Sequence, residues 1–219
     1  MGLSCFPLHI LFLIGLNLTF AGDAPPVKIQ LFYETYCKYC QEFVSQQLYP
    51  TWHDLQDIMD VEMFPFGNAK YASNVETEGW TFKCQHEEYE CKANMIHACA
   101  KENFKDIGLE MNFVKCLLES PAPADSGPTC AASIGVEWDP IKKCLNSTEG
   151  QNLLHEIAVQ QDNLETELYF VPWIIVNDNF SLEQTEECKS DLKRIVCEMY
   201  TGTTPESCED HDASVPEDE

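Results

Sequence analysis

Basic residues are scarce in this chain. Lys and Arg together number 13 against 37 Asp and Glu, a net charge of −24 over 219 residues. So acidic a surface argues against nucleic acid and anionic membranes as partners. Long apolar runs are also lacking. The one candidate, Leu8–Leu18, is too short to span a bilayer comfortably, and no later segment does better, so no membrane insertion is expected. There is no phosphate loop, dinucleotide fingerprint, EF-hand or Ser–His–Asp order. The acids are spread along the whole chain. They serve solubility, and an acidic compartment would relieve part of their mutual repulsion.

Cysteine, by contrast, is plentiful. Met1–Ala21 reads as a secretory signal, with small residues Thr19 and Ala21 before cleavage, although its start lacks Lys and Arg. Removing it takes Cys5 away and leaves eleven cysteines, which implies an oxidising secretory route. Sequons at Asn146 and Asn179 agree with that route as glycosylation sites.

The sequence is organised around Cys37-Lys38-Tyr39-Cys40. Val27–Tyr33 before it alternates as a strand does. Cys40, Phe43, Val44 and Leu48 after it follow a helical period. A CxxC at a strand-to-helix junction is the redox arrangement of a thioredoxin-like fold. Cys37 would sit at the helix N-terminus, where unpaired amides favour a thiolate, with Lys38 nearby. Cys40, one turn on, can attack a mixed disulfide on Cys37. The alternatives are a structural disulfide or half a zinc site. A zinc site would need Cys37, Cys40, Cys84 and His86 to converge, which an oxidising compartment disfavours. The assignment is therefore no metal.

Further along, Pro50 marks a kink, Thr51–Asp60 continues as helix and Val61–Gly67 forms a second strand. Strand, helix, strand predicts a βαβ unit with a parallel pair. Residues 68 to about 164 read as a mostly helical insertion. Cys91, Met95, Ala98 and Cys99 share one helical face; Ile107, Met111, Val114 and Leu118 share another. Pro121–Pro128 is expected to be a loop, Asp139-Pro140 a helix start, and Leu153, Leu154, Ile157 and Ala158 a further helix. Tyr169–Asn177 returns to strand character, and Ser181 caps a last helix bearing Cys188, Leu192, Ile195 and Met199. The expected organisation is a signal over 1–21, an α/β (α+β) thioredoxin-like domain over 22–200, and an acidic tail over 201–219, disordered or trimmed. Structural disulfides are assigned to Cys84, Cys91, Cys99, Cys116, Cys130, Cys144, Cys188 and Cys197, with pairing open. Cys208 is left over, to anchor the tail or to link two chains as a disulfide-bonded dimer. Trp52, Trp80, Trp138 and Trp173 are expected in the core, with Trp173 also a candidate for lining a groove beside Pro172.

Cys84-Gln85-His86, with Glu90-Cys91, Asn94 and Cys99, resembles the signature of the gamma-interferon-inducible lysosomal thiol reductases. That signature reads Cys-Gln-His-Gly, two residues, Glu-Cys, two residues, Asn, four residues, Cys. Every fixed position matches except the glycine, which is Glu87 here. Tyr49–Trp52, Val61–Lys70 and Val171-Pro172-Trp173-Ile174 are also similar to the family. The resemblance runs from about Val27 to Tyr200.

The resemblance implies a soluble, glycosylated lysosomal or secreted enzyme. It would reduce disulfides of unfolded proteins at acidic pH, with Cys37 attacking and Cys40 resolving. No cofactor is implied beyond free cysteine or another small thiol. Val171 and Pro172 would form the substrate groove, with Pro172 in cis and Val171 offering backbone groups to an extended substrate. Glu87 in place of glycine implies a negative φ there or a rearranged loop. Acid operation sets a physical demand. An unperturbed thiol is only about 0.03 % thiolate at pH about 5, so the pKa of Cys37 must be lowered substantially. Competing readings are a disulfide oxidase or isomerase of the secretory pathway, a secreted binding or immune-modulating protein with little turnover, and, least well matched, a saposin-like lipid binder.

Overall fold

The computed structural model describes residues 24–76, 78–104 and 106–212. Residues 1–23, which contain the expected signal, and residues 213–219 lie outside them. Strand β1 (Val27–Tyr33) runs parallel to β2 (Met59–Pro65), with Leu31 opposite Met63. The crossover between them is helical: α1 (Lys38–Phe43), a π turn over Val44–Leu48, α2 (Tyr49–Leu55) and a 3-10 turn over Gln56–Ile58. Pro50 occupies the first turn of α2. It has no N–H to donate back along the helix, and the widened turn falls just before it. The expected helix over Thr51–Asp60 is shorter, because Met59 and Asp60 already pair with β1.

Strand β5 (Trp173–Val176) lies antiparallel on the other side of β1, and β6 (Asn179–Phe180) follows, giving the order β2-β1-β5-β6. Asn177 and Asp178 take φ of 49° and 61° in the two-residue turn between them, as that turn requires. Alternation along the strands serves two cores. Ile29, Leu31, Tyr33, Val61 and Met63 pack with the crossover and with α8 (Leu182–Met199). Phe32, Phe64, Trp173 and Ile175 pack with Leu154, Ile157 and Ala158 of α7 (Thr148–Asp162). Helix α8 begins at Ser181, whose hydroxyl accepts from Gln184 N at 3.3 Å. It breaks at Asp191, and Gln47 of the π turn bridges the break, donating to Ser190 O at 3.0 Å and accepting from Leu192 N at 3.1 Å.

The insertion opens differently from its helical reading. Strands β3 (Lys70–Asn74) and β4 (Gly79–Lys83) form a hairpin. Tyr71 and Phe82 pack against the second core, and Trp80 stacks on His155 of α7 with ring centroids 3.4 Å apart. Helices α3 (Glu87–Asn103), α4 (Ile107–Glu119), α5 (Pro123–Ser133) and α6 (Trp138–Leu145) then enclose a third core around Ile96, Phe113, Leu117 and Ile141. Helix α5 replaces the loop expected over Pro121–Pro128. Pro123 sits at its start, where a proline is tolerated, and Gly127 lets the Trp138 ring lie directly against the backbone.

Disulfides join Cys84–Cys91, Cys99–Cys144, Cys116–Cys130 and Cys197–Cys208. Two assignments are corrected. Cys208 is not left over for a second chain: it sits buried on α9 (Glu206–Asp212) and ties the tail's start to α8. Cys188, expected in a bridge, is a free buried thiol, because its face of α8 turns into the first core. Among the described residues no helix is long and apolar enough to cross a membrane.

Candidate active site

Strand β1 delivers its chain into a loop, Glu34-Thr35-Tyr36, and Cys37 then takes the N-cap position of α1. Several elements hold that loop. Asn94 on α3 accepts from Thr35 N at 3.1 Å and from Thr35 Oγ1 at 2.8 Å. Gln41 Nε2 donates to Thr35 O at 2.9 Å, and Ala124 N on α5 donates to Tyr36 Oη at 3.2 Å. The insertion thus fixes the entry into the redox helix.

Cys37 and Cys40 are both free and buried, with Cys40 fully so and Cys37 8 % exposed. The pKa of Cys37 is lowered to about 6. The Cys40 thiol, donating to the Cys37 sulfur, is the largest cause. Burial opposes it, and the backbone amides of Cys40 and Tyr39 and the charge of His86 add to it. The helix start therefore contributes as expected, behind the partner thiol. Lys38 does not figure among the causes; it is exposed and pairs with Glu42 at 3.4 Å. Cys40 is shifted the other way: burial pushes its thiol well above the ordinary range. One sulfur is readily ionised and the other holds its proton, which is the asymmetry that attack followed by resolution requires.

Above Cys37 lies the segment before β5. The Val171–Pro172 bond is cis, and Cys37 Sγ stands 3.9 Å from Val171 O. Trp173 is fully buried, stacks on Phe180 at 3.6 Å and does not line the cleft beside Cys37. A cleft of about 380 Å³ opens beside Cys37, lined by Glu34, Lys38, Asn68, His86, Tyr169 and Val171 among others.

Of the signature residues, Gln85 and His86 line this cleft. Cys84–Cys91 closes the turn that leads into α3. Gln85 Oε1 accepts from Asn68 Nδ2 at 3.0 Å. His86 Nδ1 lies 2.6 Å from Glu90 Oε2 and 3.7 Å from Glu34 Oε2. Cys99 lies in the third core, bonded to Cys144. Cys84 is committed to its disulfide, which removes a ligand from the zinc alternative. Glu34, His86 and Glu90 place their donor atoms within 4.8 Å of one another. The direct His86–Glu90 hydrogen bond ties two of these donors to each other.

Glu34 escaped the sequence reading. It is wholly buried, Oε1 accepts from Asn68 N at 2.6 Å, and Gly67, at φ 64°, leaves the space its side chain fills. Its carboxyl pKa is raised to about 7, first by burial, then by Glu90 and Cys37, against the Asn68 amide and His86. An acid standing directly between an apolar strand and a CxxC was the available signal. Glu87 adopts φ 62°, a left-handed conformation rather than the negative φ expected of it. Asn146 and Asn179 are both exposed.

Comparison with known proteins agrees with this geometry. Residues 28–134 match the family model "Gamma interferon inducible lysosomal thiol reductase (GILT)". The gamma-interferon-inducible lysosomal thiol reductase of Carassius auratus is 35 % identical over 191 residues, spanning 85 % of this chain and 73 % of that one. Its Mus musculus counterpart is 34 % identical over 188 residues, covering 84 % and 73 %. This chain belongs to the GILT family. As a member it is a thiol–disulfide oxidoreductase by class. Among solved structures, Mycobacterium tuberculosis DsbA in its reduced form has a TM-score of 0.53 at 13 % identity, covering 85 % of this chain and 88 % of that one. Chlamydia trachomatis DsbA gives 0.52 at 14 %, covering 78 % and 88 %. At such identities the likeness shows the thioredoxin-like fold and nothing finer.

Proposed function

We propose that this GILT-family chain reduces disulfides of unfolded proteins in an acidic compartment of the secretory route, lysosomal or extracellular, through Cys37 and Cys40. Cys37 attacks as the thiolate and forms a mixed disulfide. Cys40 then attacks the Cys37 sulfur, frees the substrate thiol and closes an internal disulfide, which free cysteine or another small thiol opens again. No metal or organic cofactor takes part. The observation that carries this reading is the split between the two sulfurs, with Cys37 lowered to about 6 and Cys40 raised. At pH about 5 such a Cys37 is about one-tenth thiolate, against about 0.03 % for an ordinary thiol. The cis Val171–Pro172 segment beside Cys37 supports a substrate groove that holds an extended chain. The exposed sequons at Asn146 and Asn179 support glycosylation.

The test is reduction of a denatured, disulfide-bonded protein at pH about 5 and about 7 with free cysteine supplied, wild type against Cys37→Ser. Activity at the lower pH that disappears in the variant supports the reading. A folded protein with a reducible CxxC and no activity at either pH points instead to a binding protein that keeps the fold without turnover.

A further inference from the structure

Thiol exchange moves protons as well as electrons. A thiolate expelled from an ordinary alkyl disulfide is a poor leaving group, and acid in the right place helps it depart. Cys40 must also lose its proton before it attacks. Neither step has an assigned proton carrier, yet a titratable group lies beside the sulfurs. Glu34 Oε1 is fixed by the Asn68 amide, whereas Glu34 Oε2 is buried and accepts no hydrogen bond among the described residues. Glu34 lines the same cleft as Cys37. It also carries the loop geometry directly, since its carbonyl accepts from Cys37 N at 3.3 Å. Behind it, His86 leads outward: its ring is 41 % exposed, with Nδ1 3.7 Å from Glu34 Oε2 and 2.6 Å from Glu90 Oε2.

We propose that Glu34 is the proton donor and acceptor of the exchange, and that His86 and Glu90, the polar part of the Cys-Gln-His signature, position it and connect it to solvent. The proposal rests on Cys37 attacking and Cys40 resolving. In the first step the Cys37 thiolate bonds to one substrate sulfur, and the S–S bond breaks. The departing thiolate takes the Glu34 proton and leaves as a thiol, and Glu34 becomes a carboxylate. In the second step the Cys40 thiol gives its proton to Glu34 and its sulfur bonds to Cys37. The second substrate sulfur is expelled and is protonated from solvent, which had received the proton Cys37 lost. Two thiols become one disulfide, one substrate disulfide becomes two thiols, and Glu34 ends as it began.

The charges around Glu34 suit this cycle. Glu90, Cys37 and Cys40 face it as acids, His86 as a base and the Asn68 amide as a donor, and Lys38 is turned out to Glu42. With its pKa raised to about 7, Glu34 carries a proton in an acidic compartment. It loses that proton most readily once Cys37 has become a neutral mixed disulfide, because the Cys37 charge was one of the things holding the proton on.

The experiment compares wild type with Glu34→Gln, both reduced and at pH about 5, and reads the release of the first substrate thiol, before Cys40 resolves the mixed disulfide. One substrate is an unactivated alkyl disulfide. The other is an aryl disulfide, whose acidic thiol leaves without help. The substitution keeps the acceptor for the Asn68 amide. It is expected to slow the alkyl substrate about 100-fold and the aryl substrate by less than about 3-fold, with the alkyl deficit shrinking above pH about 8, where wild-type Glu34 has lost its proton. Glu34→Asp, which keeps a carboxyl, should recover part of the alkyl rate. Equal slowing of both substrates, a deficit independent of pH, or no slowing overturns the proposal. If the Gln variant fails to fold, the wild-type alkyl-to-aryl rate ratio decides: it must fall as pH rises through about 7, and a flat ratio overturns the proposal. If the aryl disulfide itself fails to react with Cys37, the functional reading fails first. If it reacts normally and only the alkyl effect is missing, the role of Glu34 alone falls.

Discussion

Cys37 and Cys188 are the same side chain in two opposite environments. Both are free and buried, and both belong to the first core. Yet one thiol is lowered to about 6 and the other pushed up to about 12. Cys188 sits within α8, where burial dominates and the neighbouring Glu187 adds to it, against a smaller pull from Arg194. Cys37 also feels burial, but a thiol and two amides donate to its sulfur. Reactivity here depends on donors aimed at the sulfur, supplied by the N-cap position and by a partner one turn away.

The largest break of the comparison is functional. Cys37→Ser should lower disulfide reduction at least about 1000-fold. Cys188→Ala should leave the rate within about 2-fold and cost about 1–2 kcal/mol of stability for the lost sulfur packing. Steady-state rates and denaturant melts of the two variants check this. Comparable rate losses would erase the distinction.

A finer probe is the stability of the reduced protein against pH. Cys37 has a depressed folded pKa, so its contribution is present above about pH 9 and is lost as pH falls toward about 6. Its upper bound is about 4 kcal/mol across that window at about 1.4 kcal/mol per unit. Cys188 has a raised folded pKa, so its contribution holds below about pH 9 and is lost as pH rises toward about 12. Glu34 is likewise raised, and its contribution falls away between about pH 4.5 and about 7. Melts of reduced and oxidised protein separate these. Oxidation removes the Cys37 rise between about pH 6 and 9 and keeps the Cys188 fall above 9. The same pH slope in both redox states would contradict the assignment.

The smallest expected effect is at Glu87. Its left-handed φ costs about 1 kcal/mol relative to glycine, but an acid at the start of α3 gains about 0.3–1 kcal/mol from the helix dipole. Glu87→Gly should therefore change stability by less than about 1 kcal/mol and leave turnover unaltered, as thermal melts and rates will show.

What the sequence disclosed followed local rules. The alternation of Val27–Tyr33, the CxxC at its end, the parallel return through Met63 and the Ser181 cap depend on near neighbours, and all recur in the structure. What it concealed depended on distant ones. Trp80 becomes strand because His155 stacks on it, Pro128 becomes helix because Cys130 is stapled to Cys116, and Cys208 packs because Cys197 reaches it. At the site, both sulfurs were readable from local pattern, and Pro172 only through the resemblance to the family. The partnership of Glu34 with His86 and Glu90 was not, since it spans some fifty residues and appears only when α3 docks on the redox loop.

The central claim is that Cys37 is a thiolate-prone nucleophile under acidic conditions. The most direct measurement is the pH dependence of Cys37 alkylation in the reduced protein, followed by mass of the modified peptide, with Cys188→Ala removing the other unpaired thiol outside the CxxC among the described residues. The account predicts a midpoint of about 6. A midpoint above about 8, that of an ordinary thiol, would contradict it.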